Sequence, residues 1–246
     1  MLTPFTIRLA GKTISVQAQF SQTRDICRDY LFDGKPDFSV CVTSKDILKE
    51  RQRSEIQDLK QGKTPHNYSD KYLEALALYR KIADSFTQYQ TLLIHGSAVS
   101  VDGNGYLFTA PSGTGKSTHV RLWRELLGER AIIINDDKPL ISFGDGGVFI
   151  HGTPWCGKHH LNTNVSVPLK AICILTRGEK DCIEKLDRAE VMPILIQQTY
   201  RPQNAEGMHT VLSELDRLTR SVGLYRLACT MNLSAAQVSF EAMSGC

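Results

Sequence analysis

Ala110-Pro111-Ser112-Gly113-Thr114-Gly115-Lys116-Ser117-Thr118 is the stretch that decides how this chain is read. A run of strand character, residues 105–109, leads into it, and a helix-like run, residues 118–127, leads out. Strand, glycine loop and helix in that order are the setting of a phosphate-binding loop (P-loop). The residue types suit the chemistry. Gly113 and Gly115 let backbone N–H groups turn inward without a Cβ in the way. The helix start adds unpaired donors and the positive end of its dipole, so residues Ser112 to Thr118 together form the expected nucleotide cradle. Lys116 would set an ammonium on the β- and γ-phosphates, and the Ser117 hydroxyl would ligate Mg²⁺. Ala110 stands where the strict pattern has its first glycine, yet the core G-x-G-K-[ST] arises by chance only about once per 30,000 positions. The competing reading is a plain Gly/Ser-rich turn.

Outward from the loop, residues 131–134 form an apolar strand-like run that ends in Asn135-Asp136-Asp137. Strand ends in α/β sheets converge on the ligand, so carboxylates there are expected beside a metal. A solvated turn before Pro139 is the alternative. Upstream, residues 91–96 and 97–101 read as consecutive strands with His95-Gly96 at their junction. Downstream, residues 152–160 are dense in glycine, proline, aromatic and cationic residues, which suits a functional loop. Lys158 in it could reach a phosphoryl group, and Trp155 could wall the site. His159 and His160 read as solvated histidines, because adjacent histidines rarely share one ion. Arg201, beside Pro202, is a candidate phosphate contact or a helix C-cap.

The rest of the body reads as a hairpin over 141–151, a buried strand over 167–175, helices over 188–200, 206–221 and 234–243, and a short strand over 225–229. Before the body, residues 5–10 and 13–18 alternate around Gly11-Lys12 as a hairpin, followed by a helix over 21–32, a strand over 38–42 and a helix over 44–60. An amphipathic helix covers 69–89. The expected organisation is a small α+β appendage, residues 1–68, and a mixed-sheet α/β catalytic domain, residues 69–246.

Composition sets limits. The 246 residues are 41% hydrophobic and 22% charged with net charge +3, too mild a balance to argue for nucleic acid or an anionic membrane. Apolar runs fall short of a membrane span and the N-terminal residues do not read as a signal peptide, so no membrane partner is expected. Seven scattered cysteines without a C-x-x-C pair suit free thiols in a cytoplasmic protein.

His95-Gly96, then Gly113-x-Gly115-Lys116-Ser117, then Asp136-Asp137 resemble the HPr kinase/phosphorylase family, which shares its catalytic fold with phosphoenolpyruvate carboxykinases. The resemblance covers roughly residues 91–175. It implies ATP and Mg²⁺ and transfer of a γ-phosphoryl group to a hydroxyl, on a serine of a protein or peptide or on a small-molecule alcohol. Carried over by residue, Lys116 binds phosphates, Ser117 and Asp137 hold Mg²⁺, Asp136 takes the proton of the attacking hydroxyl, and His95 lies beside that centre. Gly157-Lys158 corresponds to the family's later basic loop. Residues 1–90 do not resemble the family's regulatory N-terminal domain, so the resemblance does not carry HPr itself as acceptor. Homo-oligomers are implied. A non-catalytic nucleotide sensor and a nucleotide hydrolase are the alternative functions.

Overall fold

The computed structural model describes residues 3–60, 62–157 and 160–245. They form two compact units that divide after Ser85.

The first unit opens with strands β1 (Phe5–Leu9) and β2 (Lys12–Gln17), an antiparallel hairpin with Phe5 opposite Val16. Helix α1 (Ser21–Ile26) is shorter than the sequence suggests; a 3-10 turn at Arg28–Tyr30 takes up the rest. Strand β3 (Phe38–Cys41) pairs in parallel with β2, giving the sheet order β1-β2-β3. Helices α2 (Ser44–Lys60) and α3 (Asp70–Phe86) complete it. The boundary expected at residue 68 falls before α3, whereas the chain divides after most of that helix. The physical reason is a set of hydrogen bonds and ion pairs that tie α3 to the elements before it. Glu74 of α3 accepts from the backbone of Gln19 and Phe20, and Arg80 of α3 donates to Glu50 of α2 at 2.8 Å.

The second unit is built on a mixed sheet. Its strands are β4 (Thr91–Leu93), β5 (Ser97–Val101), β6 (Asn104–Thr109), β7 (Ala131–Asn135), β8 (Leu140–Gly144), β9 (Gly147–His151), β10 (Ser166–Arg177), β11 (Cys182–Lys185) and β12 (Gly223–Cys229). β11 was not foreseen; its burial pattern is mostly exposed, so it lacks the apolar alternation that marks a strand. The helices are α4 (Lys116–Leu127), α5 (Arg188–Gln198), α6 (Ala205–Ser221) and α7 (Leu233–Ser244).

The spatial order is β4-β8-β9-β10-β6-β5-β7, with β12 also on β10 and β11 on β12. β10 is the hinge of this topology. Its first residues pair antiparallel with β9, while residues 171–177 run parallel to β12 and residues 169–174 parallel to β6. Side chains alternate across a strand, and from Ala171 onward β10 follows that rule into two cores, a register shift between Leu169 and Ala171 setting Leu169 on the face of Ile172. Leu169, Ile172 and Ile174 pack with Val191, Leu195, Val211 and Leu215 of α5 and α6. Ala171, Cys173 and Leu175 pack with Val120 and Trp123 of α4 and Ala236 and Met243 of α7. Helices therefore cover both faces of the sheet, the layering that parallel strands require.

Candidate functional site

The 110–118 loop leaves β6 and runs directly into α4, whose first residue is Lys116. Gly113 and Gly115 adopt φ of +80° and +114°, a region L side chains avoid, so both positions call for glycine. A Cβ at either would meet nothing within 4 Å, so it is the backbone conformation and not crowding that calls for glycine. Ala110 is not among the positive-φ residues and is buried in the α4/α7 core. Alanine therefore meets the backbone demand there, and its methyl group adds packing. The first N–H groups of α4 have no intrahelical partners and face the loop end of the dipole.

Lys116 is 7% exposed, and its Nζ donates to the carbonyls of Ala110 at 2.9 Å and Pro111 at 3.3 Å. Burial pushes its pKa down against the pull of Asp137, and the neighbouring Lys138 adds to the depression. The Ser117 hydroxyl donates to the backbone carbonyl of Asp136 at 3.4 Å, which ties the start of α4 to the end of β7. The Ser97 hydroxyl donates to the same carbonyl at 2.9 Å.

Asn135 holds the strand end in shape. Its side-chain oxygen accepts from the amides of Asp137 and Lys138 at 2.8 and 2.7 Å, and its amide nitrogen donates to Thr153 and Trp155. Beyond it the two aspartates have different surroundings. Asp136 is 3% exposed and accepts from the Gly157 amide. Asp137 is half-buried, ion-paired with Lys138, and 3.5 Å from His95 Nε2. Each of the two carboxylates thus has its own set of partners.

His95 is gripped by Gln198. Its backbone N–H donates to the Gln198 carbonyl at 2.7 Å, and its Nδ1 lies 2.8 Å from Gln198 Oε1. An amide oxygen only accepts, so Nδ1 carries the proton and Nε2 faces Asp137. Burial and the nearby Lys116 lower the His95 pKa, while Gln198 and Asp137 pull it up. Gly96, next in the chain, approaches β6 so closely that a Cβ would lie 2.7 Å from Leu107 Cδ1 and 2.9 Å from the Phe108 carbonyl oxygen. That contact explains the glycine of the His-Gly pair.

The structure thus brings His95, Lys116, Ser117, Asp136 and Asp137 to one end of the sheet. Lys158 and His159 lie outside the described residues. Trp155 is buried, and Cys156 beside the aspartates has its thiol pushed up to about 11 by burial first and then by their charge, which keeps it protonated at neutral pH. His160 Nδ1 is 3.8 Å from the Cys156 sulfur. Arg201 is exposed beyond α5. Two residues were missed. Gln198 sits in an apolar helical run with no motif to mark it. Arg177, at the end of β10, donates to the Gly113 carbonyl at 2.8 Å. The only clue to Arg177 was its place at the end of a buried strand.

Layering and site together define a mixed α/β protein with a glycine loop, a lysine and paired aspartates at one end of its sheet. Residues 66–243 match the family model of SynChlorMet cassette protein ScmC, and the chain belongs to that family. No curated protein matches it. Among solved structures, the HPr(Ser) kinase/phosphatase from Coxiella burnetii aligns at 12% identity over 52% of this chain and 97% of that one. The TM-score is 0.29, too low to support an argument. Among the described residues no helix is long and apolar enough to cross a membrane.

Proposed function

We propose that the protein is an ATP- and Mg²⁺-dependent phosphotransferase that delivers a γ-phosphoryl group to a hydroxyl. The observation that carries the reading is the junction of α4 with the end of β7. The Ser117 hydroxyl reaches the Asp136 backbone, and Lys116 feels the charge of Asp137. A loop cation, a loop hydroxyl and a carboxylate pair therefore meet where an open glycine loop ends.

The residues fit the group the reading needs. Ser117 and Asp137 are hard oxygen donors of the kind Mg²⁺ prefers. The uncrowded backbone at Gly113 and Gly115 leaves space for phosphate oxygens. Bound there, Mg²⁺ would neutralise charge on the β- and γ-phosphates. Lys116 exchanges its two carbonyl contacts for phosphate oxygens and stabilises the charge of the transferring group. Asp136, oriented by the Gly157 amide, aligns the acceptor hydroxyl and takes its proton. His95, fixed by Gln198, presents Nε2 beside Asp137 as an acceptor for a proton at this centre. The fold and architecture that go with this reading are those of the HPr kinase and phosphoenolpyruvate carboxykinase catalytic core. The acceptor is a serine of a protein or peptide, or a metabolite alcohol.

The test is incubation with Mg·ATP and a pool of peptides and metabolites, followed by mass spectrometry of the products. A phosphorylated product that disappears in Lys116→Ala and Asp136→Asn is the expected result. If Asp136→Asn keeps Mg·ATP affinity and the wild type forms no product, the protein is a nucleotide sensor and the transferase reading fails.

A further inference from the structure

Glycine gives the 110–118 loop its shape and also leaves it free to turn. Gly113 takes its φ of +80° without strain, and with no Cβ it lets the peptide that follows rotate between two orientations. That peptide, between Gly113 and Thr114, is planar and trans, so its C=O and N–H point opposite ways. One orientation offers an amide to an anion. The other offers a carbonyl oxygen, which repels it.

Neighbouring contacts show which orientation is held. The Thr114 N–H donates to the Pro111 carbonyl at 3.4 Å. The same carbonyl accepts from the Thr114 hydroxyl at 2.9 Å and from Lys116 Nζ at 3.3 Å. A carbonyl oxygen has two lone pairs, so three donors share it, and the amide contact is longer than an ordinary N–H···O bond. The Thr114 amide therefore turns to the carbonyl that Lys116 also reaches, and is only weakly engaged there. At the other end of the same peptide, the Gly113 carbonyl accepts from Arg177 Nη2 at 2.8 Å.

Arg177 is well placed for that hold. It is the last residue of β10, whose final residues pair in parallel with β12, Arg177 opposite Cys229. The sheet thus fixes its backbone while its side chain reaches the loop. A guanidinium is always charged and only donates, so it can grip a carbonyl and never an N–H. Among the described residues the Arg177 guanidinium has no other hydrogen bond and no ion pair. Its one engagement is the loop.

Resting on the phosphotransferase reading, we propose that Arg177 is a positioning residue. It holds the Gly113–Thr114 peptide with the carbonyl turned to β10 and the N–H turned to the side of Lys116, and so keeps the loop ready to receive phosphate oxygens. Its contribution is to the polyphosphate and is independent of the nucleoside.

The test is calorimetric titration of the whole chain with the Mg²⁺ complexes of tripolyphosphate and of the non-hydrolysable imido analogue of ATP. Arg177 is exposed, so Arg177→Ala is expected to fold. It should weaken both complexes by the same factor, at least fivefold. Arg177→Lys keeps a donor on a long stem and should return both affinities to within threefold of wild type. The amide signal of Thr114 in heteronuclear NMR spectra of the protein without nucleotide should move or broaden in Arg177→Ala and stay near its wild-type position in Arg177→Lys. Unchanged affinities in Arg177→Ala overturn the proposal, as does a loss confined to the imido nucleotide. Equal losses in the alanine and lysine variants overturn it too, since the planar guanidinium would then grip the ligand itself. A Thr114 signal that Arg177→Ala leaves in place has the same force, because a long-range charge effect needs no turned peptide. In each of these cases wild-type binding leaves the phosphotransferase reading standing. If the wild type binds neither complex, both fail.

Discussion

Glu74 and Asp137 are carboxylates taken out of water in different ways, and the contrast shows which buried charges belong to a site. Glu74 is 0% exposed, and its oxygens accept from the Gln19 amide at 2.6 Å, the Phe20 amide at 3.1 Å and the Thr23 hydroxyl. These donors lie at the start of α1 and are fixed by the fold. Asp137 faces Lys138 and His95 and lies within the field of Lys116. Its charged partners are the lysines Lys138 and Lys116 at the end of an open loop, able to exchange one anion for another, while burial lowers the pKa of the neighbouring His95. Asp137 is also the less buried of the two, so burial and the kind of donor separate them in the same direction.

The contrast can be broken by mutation, and the largest effect should come from the loop. Lys116→Ala is expected to lower phosphoryl transfer at least about 10³-fold, since a preorganised charge on the transferring group is removed. Its melting temperature should stay near wild type. Transfer assays and thermal unfolding together check this, and loss of fold without loss of chemistry would reverse the assignment.

Glu74→Ala should behave in the opposite way. Two backbone amides lose their acceptor, and the first unit should be destabilised by about 3 kcal/mol. Chemical denaturation followed by circular dichroism measures it. A change below about 1 kcal/mol would mean that these amides find another partner.

A third measurement extends the comparison to a buried base. His151 is 7% exposed, lies 2.7 Å from the Ser142 hydroxyl, and is pushed down to about 4 by burial. Between that value and about 6.5 the unfolded chain binds the proton that the folded chain refuses. Its stabilising contribution is therefore complete above pH 6.5 and lost as pH falls toward 4. The His151 contribution should be roughly 2 kcal/mol smaller at pH 5 than at pH 7, by proton linkage. His151→Gln should flatten the pH dependence of urea midpoints by that amount.

The smallest effect concerns His95. Gln198→Ala leaves the ring without its Nδ1 acceptor and should lower kcat/KM by about tenfold through misplacement of the His95 ring. Gln198→Glu keeps an acceptor and should restore most of it. Equal losses in both variants would mean that the bond from the His95 backbone to Gln198 is the part that matters.

The contrast also explains what could be read in advance. The loop is legible because local chemistry dictates it: positive φ at Gly113 and Gly115 demands glycine wherever the loop occurs. The apolar run of β7 and the polar residues that end it are equally local. Gln198 is 103 residues from His95 in sequence, and no local pattern reports a contact of that span. Arg177 escaped notice for the same reason, since its partner Gly113 lies 64 residues away. The α3 helix pattern shows an apolar face and does not say which neighbour it covers, so the sequence sets its boundary at residue 68 whereas the compact units divide after Ser85. β11 is exposed and short, and carries too little alternation to be seen.

β10 has a consequence for how the second unit comes apart. Its alternate side chains belong to the cores on the two faces of the sheet, and its backbone pairs with β6, β9 and β12. Neither helical layer can loosen far without disturbing the strand that the other layer grips. Melting of the two layers is thereby coupled, and the unit should lose α4 with α7 and α5 with α6 in a single sigmoidal transition. The parallel partners of β10 start some 60 residues before and after it, so that cooperativity comes with slow assembly, because distant segments must meet before any of them is held.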